Sequence, residues 1–189
     1  NIKNVDLKNN RKNTWGTGLI FNHEIDSIQN VTVAAGFTRQ ISENANKTAY
    51  YSNAYALGLA YNFVHTTYGL DLAHKDTKNK GGAGNKVKNN EVTAVIRQGL
   101  NEDWNVYAMY SYKTEKTLPA GSAYSKSTDR QFLVGTEYYV FKQGSVKVKP
   151  FIEWQATRTK YENTFDKDSG KQLDRSRDFK TVIGLRAYW

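Results

Sequence analysis

Cysteine is absent from the 189 residues, which excludes disulfides, thiolate metal sites and a cysteine nucleophile. Only two prolines occur, so long hydrogen-bonded ladders can run without interruption. No apolar run approaches the roughly 18–20 residues that a membrane-crossing helix needs. That absence excludes a helical membrane protein but not a stranded one, because only alternate residues of a membrane β-strand meet lipid. No signal peptide is visible, so an exported protein of this sequence is expected to be a mature or trimmed chain. Histidine is scarce, with three residues, and no metal-ligand spacing stands out, so no cofactor is expected.

Tyrosine (13), phenylalanine (8) and tryptophan (4) are plentiful, a mix that favours strands. The length fits one domain spanning residues 1–189. Period-two alternation marks nine strands, near 14–23, 31–41, 51–62, 64–75, 91–101, 104–114, 130–141, 146–158 and 178–189. Ile2, Val5 and Leu7 carry a weaker signal for a tenth strand within residues 1–10. The connections alternate in length. Short links fall near Glu24–Asn30, Asn62–Phe63, Asn101–Asp103 and Lys142–Ser145. Long polar links fall near Ser42–Tyr50, Asp76–Asn90, Glu115–Asp129 and Glu162–Arg177. An up-and-down meander then gathers the short links at one end and the long ones at the other, as in outer-membrane barrels. The Gly81-Gly82-Ala83-Gly84 run lacks the G-K-[ST] of a phosphate loop and reads as a flexible tip.

Alternation alone does not say which face is inside. A lipocalin-like barrel hides its apolar face, whereas a membrane barrel displays it. Segments of about ten or more residues favour display. So do aromatics near the ends of the apolar face: Trp15 and Phe21, Tyr55 and Tyr61, Trp104 and Tyr112, Phe132 and Tyr138, Phe179 and Trp189. Such pairs would form girdles at the two water interfaces. The net charge of +9 raises nucleic-acid binding, but the aromatics mostly alternate with the basic residues, and a stacking platform needs both on one surface. The expected fold is therefore all-β, an antiparallel up-and-down transmembrane β-barrel. Its apolar side would touch outer-membrane lipid and lipopolysaccharide.

The ending F-K-T-V-I-G-L-R-A-Y-W (Phe179–Trp189) has the pattern of a strand that closes a membrane barrel on an aromatic. With K-P-F-I-E-W (Lys149–Trp154) it resembles the last two strands of Gram-negative outer-membrane porins. The order Tyr55–Tyr61, Tyr68–Ala73, Phe132–Tyr139, F-I-E-W and I-G-L-R-A-Y-W resembles the C-terminal part of general diffusion porins of the Haemophilus and Pasteurella type. Small sugar-acid-specific channels are a second resemblance. The porin resemblance implies an outer-membrane location in a Gram-negative bacterium, passive diffusion of small hydrophilic solutes, and leaves a homotrimer open. General porins have about sixteen strands, so the count of nine or ten departs from the family. The C-terminal end is expected to be complete and any missing portion to be N-terminal.

On this register the inward face carries Arg97, Lys113, Lys147, Lys149, Lys180 and Arg186 against Asp71, Glu137 and Glu153. A wall of one sign concentrates counter-ions, so this pore lining predicts a weak preference for anions or acidic small solutes, the alternative being solvated lumen residues with no selective role. The third segment has a bare inward face of Ser52, Ala54, Ala56, Gly58 and Ala60, which either fits the curvature of a narrow barrel or leaves room for a loop or solute. His74 and Asp76 share one face but lack a convincing second carboxylate pair, so no enzymatic role is expected. The alternative function is a narrow barrel whose long external loops act in adhesion or partner binding, with no open channel.

Overall fold

A computed structural model describes residues 10–43, 49–79, 86–118, 124–165 and 170–189. The protein is all-β. Ten strands form one antiparallel sheet: β1 (Asn10–Asp26), β2 (Gln29–Glu43), β3 (Ala49–Phe63), β4 (Thr66–Asn79), β5 (Lys86–Gly99), β6 (Trp104–Leu118), β7 (Ser125–Tyr138), β8 (Phe141–Gln143), β9 (Val146–Glu162) and β10 (Arg175–Tyr188). The nine long strands lie side by side in chain order, and β8 is a short flap paired with the start of β9. The tenth strand anticipated within residues 1–10 lies outside the described residues, except that Asn10 begins β1.

All nine segments became longer strands, mainly toward the long connections. Toward those connections polar residues occupy both faces of the strands, so alternation fades while the backbone ladder continues. The fourth segment starts two residues late, because Val64 and His65 form the turn in place of Asn62 and Phe63. Val64 takes φ +54° there, a strained region for a β-branched residue, and its N–H donates to Ile28 O at 2.9 Å. The seventh segment ends at Tyr138 rather than residue 141. Phe141 belongs instead to β8, which folds back on β9 through Gly144 at φ +59°. Other short turns are held by side chains: Asn101 Oδ1 accepts from Asp103 N and Trp104 N at 2.9 and 2.8 Å, and Asp26 Oδ1 accepts from Ile28 N at 2.9 Å.

The two faces of the sheet differ sharply. On the apolar face the aromatics form rows. Near the long connections, ring centroids of Trp15 and Phe37 lie 5.1 Å apart and those of Phe37 and Tyr55 4.9 Å apart, and His74 stacks on Tyr55 at 6.2 Å. Near the short turns, Tyr61 stacks on Tyr68 at 6.2 Å. There Tyr61 donates to Gln29 Oε1 and Trp104 Nε1 donates to Thr136 Oγ1, each at 2.6 Å, which satisfies the polar tip of each ring. Among the described residues no hydrophobic side chain is buried. A soluble sandwich or closed soluble barrel would bury this face in a dry centre.

Closure is where the sheet departs from the expected barrel. Among the described residues β1 and β10 each have one strand neighbour and do not pair with one another. Their apolar residues are the most open in the sheet, with Leu19 78% and Ile183 77% exposed against 39% for Leu70 and Leu72 on a central strand. The direction of the strands explains the gap. A meander of nine long strands brings its first and last strands parallel, so antiparallel closure needs one further strand, or another odd number, between them.

Candidate functional site

The polar face carries a charge network at its turn end, built across five strands. Glu137 on β7 is its centre. Its Oε1 accepts from Arg97 Nη2 on β5 at 2.6 Å and from Lys149 Nζ on β9 at 2.8 Å. Its Oε2 accepts from Arg186 Nη1 on β10 at 2.6 Å. Arg186 Nη2 also donates to Glu153 Oε1 at 2.8 Å, and Tyr107 on β6 donates to the same oxygen at 2.6 Å. Glu137 and Lys149 are buried, whereas Arg97 and Arg186 keep 43% and 37% of their side chains exposed.

Several of these contacts skip an intervening strand, a gap of about 9–10 Å. Glycine makes that reach available. A Cβ on Gly135 would sit 2.5 Å from the Tyr107 ring, so the ring lies flat across β7 and its hydroxyl arrives at Glu153. Gly184 likewise leaves space for Phe151, at 2.5 Å, and the Arg186 guanidinium lies 4.2 Å above that ring. Lys149 is further held between Tyr139 and Tyr188, at 5.1 and 5.3 Å from their ring centroids.

Five of the nine proposed lining residues thus meet: Arg97, Glu137, Lys149, Glu153 and Arg186. The other four stand apart. Lys113 is exposed, in register with Glu91 and Asp129. Lys147 faces Tyr188, and Lys180 faces Gln155. Asp71 sits against Gly58, where a Cβ would lie 2.9 Å from its Oδ1. The expectation of a basic wall changes accordingly. Three of its six cations are matched by two carboxylates, and Lys113 is flanked in register by Glu91 and Asp129, which leaves Lys147 and Lys180 as the predicted lining cations with no carboxylate directly in register. Tyr107 was missed by sequence reading. Its signal was a large ring on the polar side of β6, directly in register with Gly135.

The two halves of the polar face contrast. Across β1 to β4 it presents Gly18, Ala34, Gly36, Ala54, Ala56, Gly58 and Ala73, in register with one another. The bare stripe anticipated on the third strand therefore extends to its neighbours. His74 and Asp76, 3.5 Å apart, lie on the apolar face in the aromatic row, and His74 Nδ1 is 2.7 Å from Asn90 Oδ1. The Gly81–Gly84 run lies outside the described residues, as do residues 44–48, 119–123 and 166–169 of the other long connections. Among the described residues no group of three or more histidine or carboxylate side chains is placed to hold a metal ion. Comparison with protein-family models, with curated proteins and with solved structures found no match to this chain.

Proposed function

We propose that this chain is a β-barrel porin of a Gram-negative outer membrane, through which small hydrophilic solutes diffuse passively. One observation carries the reading: the sheet displays its entire apolar face and buries no hydrophobic side chain among the described residues. Such a surface is stable only against hydrocarbon or a partner of equal size. Phe179 and Trp189, the aromatic ends of that face on the last strand, are ten residues apart. Ten residues rise about 33 Å, or about 25 Å along the membrane normal at the usual tilt, the height of an outer-membrane apolar band. Charged groups gather on the opposite face, where an enclosed aqueous space would keep them solvated.

In this reading the Glu137 network braces the barrel wall, and Lys147 and Lys180, with no carboxylate directly in register, bias passage toward anionic solutes. A trimer would be one way to cover the wall outside the lipid contact. Conductance of the purified protein in a planar bilayer tests the reading. Discrete channels with a reversal potential favouring anions are expected, moving toward cations in the Lys147→Glu/Lys180→Glu variant. A correctly inserted protein that passes no current would refute the pore and leave a barrel that acts through its external loops.

A further inference from the structure

On the apolar face, just beyond the aromatic row, three arginines occupy one rung. Arg130 on β7 is in register with Arg158 on β9, which is in register with Arg177 on β10. Neighbouring strands are about 4.8 Å apart, and like charges directly opposite one another are destabilising. Among the described residues no carboxylate pairs with any of the three. The next rung outward adds Lys160 and Arg175, and the one after it Lys126. Their counter-charges are Glu162, which Lys126 and Lys160 reach at 3.8 and 3.7 Å, and Asp174, which Arg175 reaches at 3.7 Å. Between the long cations is a cleft of about 310 Å³.

The position of the rung matters as much as its charge. The rung before it, on the same face, is Phe132, Ala156 and Phe179, followed by Trp154 stacked on Phe179 at 6.1 Å. The arginines therefore begin one face-step, about 7 Å, beyond the apolar band. At the opposite end of the same strands this face carries Tyr138, Val148, Leu185 and Ala187 and no charged side chain. The asymmetry sets the anion on the side of the long connections only.

We infer that the Arg130–Arg158–Arg177 rung binds the phosphate groups of a phosphorylated membrane lipid, whose acyl chains lie against Phe132, Trp154 and Phe179. Guanidinium forks match phosphate oxygens bidentately, and an anion seated across the rung removes the repulsion the sequence builds there. A soluble anion would have no use for the adjoining apolar wall. The inference rests on the membrane-spanning reading above, not on the open channel.

Binding of lipid A, a glycolipid with two phosphates, to the detergent-solubilised full chain tests it, read by native mass spectrometry. Dephosphorylated lipid A serves as the variant-free comparison. Lipid A should bind and its dephosphorylated form should bind far more weakly. The Arg130→Gln/Arg158→Gln/Arg177→Gln variant should lose affinity on the order of a hundredfold, since each basic side chain at an anionic surface contributes roughly a fivefold factor. Lys75→Gln, on the polar face of β4, should bind as the parent does. Equal binding of both lipid forms, undiminished binding by the triple variant, or complete displacement by inorganic phosphate would each overturn the proposal. Conductance of the same preparations separates the two readings: a triple variant that conducts but no longer binds lipid A leaves the pore intact. A parent that binds lipid A without conducting removes the pore and keeps the lipid site.

Discussion

Replacing Glu137 with glutamine keeps the shape of the side chain and removes its charge. The consequences differ for its three partners. Arg97 is 43% exposed, so its guanidinium returns to water, and an exposed pair of this kind contributes about 0–1 kcal/mol. Arg186 keeps its 2.8 Å bond to Glu153. Lys149 bears most of the cost. Its side chain is 7% exposed, and without Glu137 it is left as a buried ammonium facing two tyrosine rings. Breaking a buried pair from one side costs about 3–5 kcal/mol, while each ring returns roughly 0.5–1 kcal/mol that the variant retains. The expected loss for Glu137→Gln is about 3 kcal/mol. Arg97→Gln should lose less than about 1 kcal/mol. The assay is equilibrium urea unfolding in detergent micelles, followed by tryptophan fluorescence, with a midpoint shift of about 1–3 M at the usual slopes. Adding Lys149→Met to Glu137→Gln should recover much of the loss, because it removes the stranded charge. Equal costs for Glu137→Gln and Arg97→Gln, or no recovery in the double variant, would refute this account of the network.

Two further outcomes follow from the faces of the sheet and from its glycines. Trp15, Trp104, Trp154 and Trp189 are all exposed on the apolar side; in lipid vesicles their fluorescence should be quenched by brominated acyl chains and shielded from aqueous acrylamide, and the reverse result would place water on that side. Gly135→Val should cost about 1–3 kcal/mol by overpacking, because its side chain would occupy the space of the Tyr107 ring at 2.5 Å. Gly36→Ala, whose Cβ would meet only Thr17 O at 3.9 Å, should unfold within about 0.5 kcal/mol of the parent. Paired urea titrations distinguish them, and similar costs for both would show that the ring is not seated on Gly135.

The architecture was readable from the chain because a strand's two faces are written in alternate residues. Phe179, Ile183 and Leu185 on one side of β10 and Val182, Gly184 and Arg186 on the other stand in the structure as the alternation assigned them. Turns were readable where a side chain closes them, as at Asn101, and misplaced where none does, as at Val64, whose positive φ no sequence preference announces. The network was only half readable. Alternation put Arg97, Glu137, Lys149 and Arg186 on one face, but it is silent on which of them touch.

That choice belongs to register and curvature. Glu137 draws its three cations from positions 40, 12 and 49 residues away, and each contact exists because one strand is offset against another by a fixed number of rungs. The same offsets align Arg130, Arg158 and Arg177, which sit where polar residues on both faces blur the period. That β1 and β10 do not pair with one another among the described residues is also a tertiary fact, since it depends on strand directions around the whole sheet. Local pattern therefore determined which residues form strands and which side each one presents, because that depends only on the two-residue repeat of the backbone. Tertiary structure alone decided which charges neutralise one another and which are left in want of an anion, because Coulomb attraction depends on distances that hydrogen-bonded register sets.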